Sequence, residues 1–354
     1  MPRFTPRDLS DIGIEMFQAA GCSPEDAKVV VDHLVESNLF GHDSHGAIRF
    51  HQYARDIREG RYQVDTKPRI DRDRPCVAVV DGCGALGPIA ATFATRLAID
   101  KARRQGVATV ALHNSSHIGR VGAYPLMAAR DGLIGQAFVN AGKLGFEVAP
   151  FGGIDGRLST DPIAFAGPRR DGDPIMLDMT TAVAAVGKIW VAQNRQEKLP
   201  PGWIIDANGE PSEDPHAFTG DPPGAILPLG GNVGHKGFGL AVMVELLGGA
   251  LSGHGCAAGE RKLITNGVII NVYCIEHFVD RCRYEDEVEG LVRHVKSSRP
   301  ASGVGEILFP GEMEFKTARQ RQTAGIELDQ VTWDQICDEA QKLGIDSARW
   351  DPGV

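Results

Sequence analysis

The chain has 354 residues, with 37 Lys plus Arg against 46 Asp plus Glu, a formal charge of −9, and 42% hydrophobic against 23% charged residues. At roughly 100–200 residues per domain this length holds two or three domains around a large core, which excludes a small stapled scaffold. The acidic balance, without a basic block, argues against nucleic acid and anionic membrane surfaces, because polyanion affinity comes from Lys and Arg on phosphates.

The seven cysteines are odd in number, widely spaced and lack any C-x-x-C, so neither a disulfide framework nor a Cys-type zinc site is expected. The first ten residues carry two arginines with no apolar run behind them, unlike a secretory signal. The longest apolar stretch, 238–251, is interrupted by Glu245 and is shorter than the ~20 residues a membrane span needs. A reducing cytoplasm is the expected compartment.

Residues 5–62 read as helices. Ser23-Pro24-Glu25-Asp26 starts one, with Val29, Val30, Leu34 and Val35 on a helical period and Gly41 as its stop. A second is expected from Asp43-Ser44, carrying Ile48, Tyr53 and Ile57 to Gly60. After Pro68 strands and helices alternate: strand 76–80, helix 89–104, strand 107–112, helix 121–131 and strand 134–139, the grammar of an α/β sheet. A Gly-rich loop over 142–162 follows, then strands 163–166 and 175–177, helix 180–193, and a surface loop over 200–228 rich in Pro, Gly and Asp. A buried helix over 238–251, strands near 267–275, and helices 286–297 and 332–342 complete the reading. The expected organisation is a helical N-terminal domain over 1–68, an α/β domain over 69–300 and a C-terminal segment, 301–354, that returns to the helical domain.

Gly82-Cys83-Gly84-Ala85-Leu86-Gly87 spells G-x-G-x-x-G between a strand and a helix, where a dinucleotide fingerprint belongs. Pro88 follows at once, however, and the next strand ends in His113 where an acid for the ribose is expected, so a plain strand-to-helix turn competes with that reading. In Asp43-Ser44-His45-Gly46-Ala47-Ile48-Arg49, a cap at Ser44 puts His45 and Arg49 on one helix face. A guanidinium beside an imidazole suits a carboxylate with a proton to exchange next to it; a salt-bridged surface Arg is the alternative. His42, Asp43, His45 and His51, or His113 with His117, invite a metal reading, yet neither set forms H-E-x-x-H, and no metal site is expected. No G-x-S-x-G elbow occurs. The segment from His113 to Gly122 leaves a strand and opens a helix, where open sheets place ligand contacts. Lys236 opens the helix over 238–251, a position that suits an anion or else a snorkelling surface Lys.

Through these and further ordered motifs the chain resembles the malate/L-lactate dehydrogenase-like oxidoreductases, a group distinct from the common lactate and malate dehydrogenases. That group includes ureidoglycolate and sulfolactate dehydrogenases, diketogulonate reductase and the piperideine/pyrroline-2-carboxylate reductases. The resemblance spans nearly the whole chain: Gly41-His42-Asp43-Ser44-His45-Gly46 with Arg49, Ser115-Ser116-His117-Ile118-Gly119, Asn140, Pro150-Phe151-Gly152-Gly153, Ser159-Thr160-Asp161-Pro162, Leu177-Asp178-Met179-Thr180-Thr181, Pro200-Pro201-Gly202-Trp203, Pro228-Leu229-Gly230-Gly231, His235-Lys236-Gly237 and Phe309-Pro310-Gly311-Glu312.

The resemblance implies an NAD- or NADP-dependent enzyme on a non-Rossmann, L-sulfolactate dehydrogenase-like α/β mixed-sheet fold, a homodimer with its active site near the subunit contact, acting on a small carboxylate. It implies His45 as proton donor or acceptor with Ser44 as relay, or His117 in that role. Arg49, Thr160 and Lys236 become substrate contacts. His117, Ile118, Gly119, Arg120, Val121, Asn140, Asp178, Met179, Thr180, His235, Pro310, Gly311 and Glu312 become cofactor contacts. The chain departs from the family pattern at Asp161, where Asn is usual, and at His235, where Tyr is usual. Lys188, where an acid is expected in the imine reductases, leans the reading towards hydride transfer at C2 of a 2-hydroxy acid. A cyclic imino acid reductase is the alternative, and a metal-dependent hydrolase the remote one.

Overall fold

The computed structural model describes residues 1–141, 146–258 and 265–350, so the first residues of the expected 142–162 loop lie outside the described residues. Strand β1 (Arg3–Phe4) leads into helices α1 (Pro6–Ala19) and α2 (Pro24–Leu39), each with Pro in its first turn and a capping hydroxyl, Thr5 or Ser23, accepting a backbone N–H. The expected helix from Asp43-Ser44 is corrected: Asp43–His45 form a single 3₁₀ turn, and α3 runs Ile48–Arg58. The cause is Asn38, whose Oδ1 accepts Ala47 N–H at 2.7 Å and whose Nδ2 donates to Asp43 Oδ1 at 2.7 Å. A Cβ at Gly46 would lie 2.2 Å from Asn38 Oδ1, so only Gly lets this side chain bridge the 3₁₀ turn and the start of α3.

Next come β2 (Arg69–Asp73), β3 (Val77–Asp81), α4 (Gly87–Gln105), β4 (Val107–Ser116), α5 (Ala123–Arg130), β5 (Ile134–Asn140), β6 (Ile163–Gly167), β7 (Ile175–Met179) and α6 (Val186–Arg195). Helix α6 starts later than 180 because Ala182 is bridged to Pro228, which keeps that stretch extended. The expected 200–228 loop carries structure of its own: β8 (Ile204–Ile205), β9 (Pro211–Ser212), α7 (Pro215–Thr219) and β10 (Ala225–Ile226), with Ile204, Phe218 and Ile226 in a small core. Helix α8 (His235–Val244) continues as a π turn (Glu245–Leu251), followed by β11 (Thr265–Tyr273), α9 (Arg281–Lys296), α10 (Glu312–Ala324), β12 (Ile326–Glu327) and α11 (Gln330–Lys342).

The expected buried helix over 238–251 is only half buried. Ala241, Val244, Glu245, Gly248 and Gly249 face inwards, whereas Leu240, Met243, Leu246 and Leu251 are 42–62% exposed, because no described element of this chain covers that face.

The main sheet has the order β2-β3-β4-β11-β5-β6-β7; β3 and β4 are parallel and the other pairings antiparallel. This mixed order is not that of a parallel dinucleotide-binding sheet. Valines of β3, β4 and β11 pack on Ala90, Ala91, Ala94, Ala98 and Ala102 of α4, whose small side chains let helix and sheet approach closely. A separate core joins Leu9, Phe17, Leu34, Phe50 and Tyr53 of α1–α3 to Ile326, Trp333 and Ile336.

The glycine turn after β3 serves this packing. Gly82 and Gly84 donate their N–H groups to His113 and Asn114 carbonyls, and Gly87 N–H donates to Ser116 Oγ at 2.7 Å. A Cβ at Gly87 would lie 2.2 Å from the His117 carbonyl oxygen. The donors a pyrophosphate would need are spent on β4, so the turn is structural.

Candidate active site

Strand β4 ends at Ser116 and delivers His117 against α3, where Tyr53 is fully buried. Tyr53 Oη lies 2.6 Å from His117 Nδ1 and 3.3 Å from the His117 carbonyl oxygen, and Gly119 N–H donates to the same Nδ1 at 3.3 Å. Tyr53 Oη can donate to Nδ1 or accept from it, turning its own O–H to the His117 carbonyl, so the neutral ring can carry its proton on either nitrogen. The His45 ring lies 5.5 Å away, centroid to centroid and tilted by 25°, with its own Nδ1 3.0 Å from Ser44 Oγ. Each imidazole is thus backed at Nδ1 by a hydroxyl that can donate or accept, and neither Nε2 has a partner among the described residues.

Arg49 is tied to the turn that carries His45. Its Nε donates to the Ser44 carbonyl at 2.9 Å and Nη1 to Gln52, leaving Nη2 uncommitted among the described residues. The expectation that His45 and Arg49 share one α-helical face is corrected, since His45 sits in the 3₁₀ turn and Arg49 in the first turn of α3. The guanidinium nonetheless acts on the pair. Burial first, then the Arg49 charge, pulls the His45 imidazole down to about 3 and holds His117 well below its ordinary value. Both rings are neutral bases at pH 7.

A second layer holds the turn after His117. His33 Nε2 accepts Arg120 N–H at 2.9 Å, and a Cβ at Gly119 would lie 2.1 Å from that nitrogen. Arg120, placed among the cofactor contacts by resemblance, is buried; its guanidinium pairs with Glu36 at 2.6 Å and lies over the Phe40 ring at 4.6 Å. Gly122 N–H donates to Asp178 Oδ2 at 2.8 Å, and Met176 N–H donates to the Pro310 carbonyl at 3.2 Å. The turn 118–122, the end of β7 and the start of α10 are therefore brought together. Asp178 keeps Oδ1 free of described partners, and a carboxylate oxygen at a strand end is the chemistry that ribose hydroxyls require. These residues fit a nicotinamide dinucleotide. Glu312 is engaged elsewhere, by Lys296 and the Phe309 N–H.

Other expected site residues lie apart. Thr160 is half-buried, its carbonyl accepting Thr181 N–H at 3.0 Å. His235 and Lys236 are exposed at the start of α8, with the His235 ring 5.6 Å from Phe151. The Asn140 amide is consumed inside the protein, donating to the Gly255 carbonyl at 3.0 Å and Glu245 Oε2 at 3.3 Å and accepting Gly267 N–H at 3.2 Å. Gly187 sits where a Cβ would lie 3.2 Å from Ser44 Cβ, which places the start of α6 beside the histidine turn. On helical periodicity Tyr53 belongs to the apolar face of α3, and its spacing of four from Arg49 is the signal in the sequence that it also reaches the site.

The sequence profile of the malate/L-lactate dehydrogenase family matches residues 4–337. The chain belongs to that family. Hydroxycarboxylate dehydrogenase B of Escherichia coli O157:H7 is 37% identical over 349 residues, 97% of this chain and 95% of the relative. Malate dehydrogenase from Pyrococcus horikoshii OT3 superposes with a TM-score of 0.88 at 33% identity, covering 97% of this chain and 96% of that one. A delta1-piperideine-2-carboxylate reductase from Pseudomonas syringae superposes at 0.83 with 28% identity, covering 96% and 100%. The mixed-sheet α/β fold is that of the family's solved members, and the chain is an enzyme of the malate/L-lactate dehydrogenase type. The family assignment displaces the hydrolase alternative.

Proposed function

We propose that the protein catalyses reversible, NAD- or NADP-dependent hydride transfer at C2 of a small 2-hydroxy acid, giving the 2-oxo acid. The observation that carries this reading is the pair of neutral imidazoles, each backed by a hydroxyl, beside the Arg49 guanidinium. Arg49 Nη2, helped by Thr160, holds the substrate carboxylate, and Lys236 is a further anion contact if α8 meets the ligand. His117 Nε2 takes the C2 hydroxyl proton as the alcohol carbon is oxidised to carbonyl; His45, with Ser44, neighbours the same proton path. When Nε2 acts as base, the ring proton sits on Nδ1 and donates to Tyr53 Oη, whose own O–H turns to the His117 carbonyl 3.3 Å away. A nicotinamide held at this site would supply the acceptor for the hydride that leaves C2. The turn from His117 to Val121 with Asp178, Met179, Thr180, Pro310 and Gly311 would hold the dinucleotide, with the Asp178 carboxylate available to ribose hydroxyls. The substrate's negative charge offsets the Arg49 field, so proton affinity at the pair rises only when substrate is present.

We further infer a homodimer that covers the exposed apolar face of α8, and a cytoplasmic protein, in keeping with seven free thiols. The test is a panel of 2-hydroxy acids, 2-oxo acids and cyclic imines with both dinucleotides. Turnover of 2-hydroxy acids in preference to imines is the expected result; exclusive turnover of cyclic imines favours the reductase reading, with the proton delivered to nitrogen.

A further inference from the structure

Asp161 is fully buried in a left-handed conformation, φ +37°, and neither of its carboxylate oxygens accepts a hydrogen bond from an N–H or O–H of a described residue. Backbone strain of this kind in a non-Gly residue persists only where the surroundings enforce it. Its nearest electrostatic partner is Glu245, the first residue of the π turn and 5% exposed, brought to the same end of β5: Val139 N–H donates to the carbonyl of Pro162, next to Asp161, and Asn140 Nδ2 donates to Glu245. Glu245 Oε2 accepts Ala257 N–H at 2.7 Å and Asn140 Nδ2 at 3.3 Å, while Oε1 has no such donor. The groups that act most strongly on Asp161 are acids: Glu245 itself and Glu147 from the 146–150 segment, with the Cys256 thiol beyond Glu245. Two ionised carboxylates cannot be left facing each other in a dry interior, whereas one proton converts the repulsion into a short O–H···O⁻ bond.

We propose that Asp161 and Glu245 share a single proton, and that this carboxyl pair is a positioning clamp fixing the Thr160 segment to the helix that begins at His235. The clamp spans the right elements. Thr160 precedes Asp161 and its carbonyl is held by Thr181 N–H at 3.0 Å and Oγ1 at 3.1 Å, and the Pro162 carbonyl accepts Val139 N–H at 3.1 Å. The π turn on the other side packs on β5, where a Cβ at Gly248 would lie 3.0 Å from Asn140 N. Burial, then the charges of Glu245 and Glu147, pushes the Asp161 carboxyl up to about 9. A carboxyl raised in the folded state keeps its proton while the unfolded chain has lost it. Its contribution is fully present below the ordinary carboxyl range near 4 and declines as pH rises towards about 9.

The clamp rests on the burial of the two carboxyls, their donor-less oxygens and their shared place at the end of β5; only its link to substrate rests on the proposed function. The experiment compares wild type with Asp161→Asn, whose amide donates to Glu245 without a titrating proton. The ratio of folding constants, variant over wild type, should rise about tenfold per pH unit between roughly pH 5 and 8.5, the signature of one bound proton. A ratio independent of pH overturns the shared proton. If Asp161→Asn does not fold, Glu245→Gln carries the same expectation, and the infrared band of a protonated carboxyl in wild type at pH 7 should be missing from it; a wild type without that band also overturns the proposal. For the positioning role, wild-type KM for the 2-hydroxy acid should climb above about pH 9 with kcat little changed, and in Asp161→Asn it should stay flat. A pH-dependent folding ratio with parallel KM profiles overturns the positioning half. Because folding is read without substrate, loss of the functional reading and loss of the clamp are separate outcomes.

Discussion

Two buried polar clusters in this chain are driven to neutrality by the same cause with opposite sign. Burial strips protons from His33, His45 and His117, and it retains one on Asp161. The difference lies in access. His45 and His117 are partly exposed and keep both Nε2 atoms uncommitted, so a ligand's charge can reverse their neutrality, whereas Asp161 is sealed and answers to the acids packed around it, Glu245 first and then Glu147. Neutrality at a partly exposed site is a poised chemical state; in a closed core it is a condition of folding.

The largest effect is expected at His117. His117→Asn should fold normally and lose about 10²- to 10⁴-fold in kcat, the usual worth of a positioned acid–base group; unchanged turnover in a steady-state assay would remove it from the proton path and leave His45. Arg49→Ala comes next, with a loss of about tenfold to 10²-fold in kcat/KM for the carboxylate substrate, the scale of a hydrogen bond to a charged group. An Arg49→Ala enzyme with unchanged kcat/KM would release the guanidinium from substrate binding.

Tyr53→Phe keeps the ring packing but leaves an imidazolium Nδ1–H without its acceptor. A loss of about fivefold to tenfold in kcat is expected, with the pKa in the kcat profile moving down; an unmoved profile shows that Tyr53 serves only the core. The histidines also mark stability. Because folded His33 and His45 are lowered from 6.5 to about 3, their contributions are present above about pH 6.5 and are lost as pH falls towards 3. Denaturant titrations of His45→Asn should show the acid-side decline of the folding constant reduced by up to tenfold per pH unit; slopes matching wild type contradict a buried neutral ring. The smallest effect concerns the uncovered face of α8. Leu246→Asp should halve the mass in light scattering with little change in Tm, and a monomeric wild type removes the dimer.

Much of the fold was legible because local signals agreed with the tertiary outcome. Ser23-Pro24 starts α2, and the alternating segments from 76 to 139 form the sheet core. Elsewhere tertiary contacts decided. Asn38, nine positions before Ala47 and on the preceding helix, moved the start of α3; the bridge from Ala182 to Pro228 delayed α6; and α10, with polar residues around most of its circumference, gave no periodic signal. The histidines and Arg49 were marked by residue type, but their partners were not. Tyr53 looked like core, and the Asp161–Glu245 contact joins a loop to a helix more than 80 positions away, a pairing no local pattern encodes.

The most direct measurement is NMR titration of the His45 and His117 ring protons in the free enzyme and with a bound, unreactive dicarboxylate. In the free enzyme both rings should remain neutral to below pH 5, and the carboxylate should raise the pKa of at least one, an effect lost in Arg49→Ala. Two rings titrating near 6.5, indifferent to the carboxylate, would contradict a pair held neutral until substrate arrives.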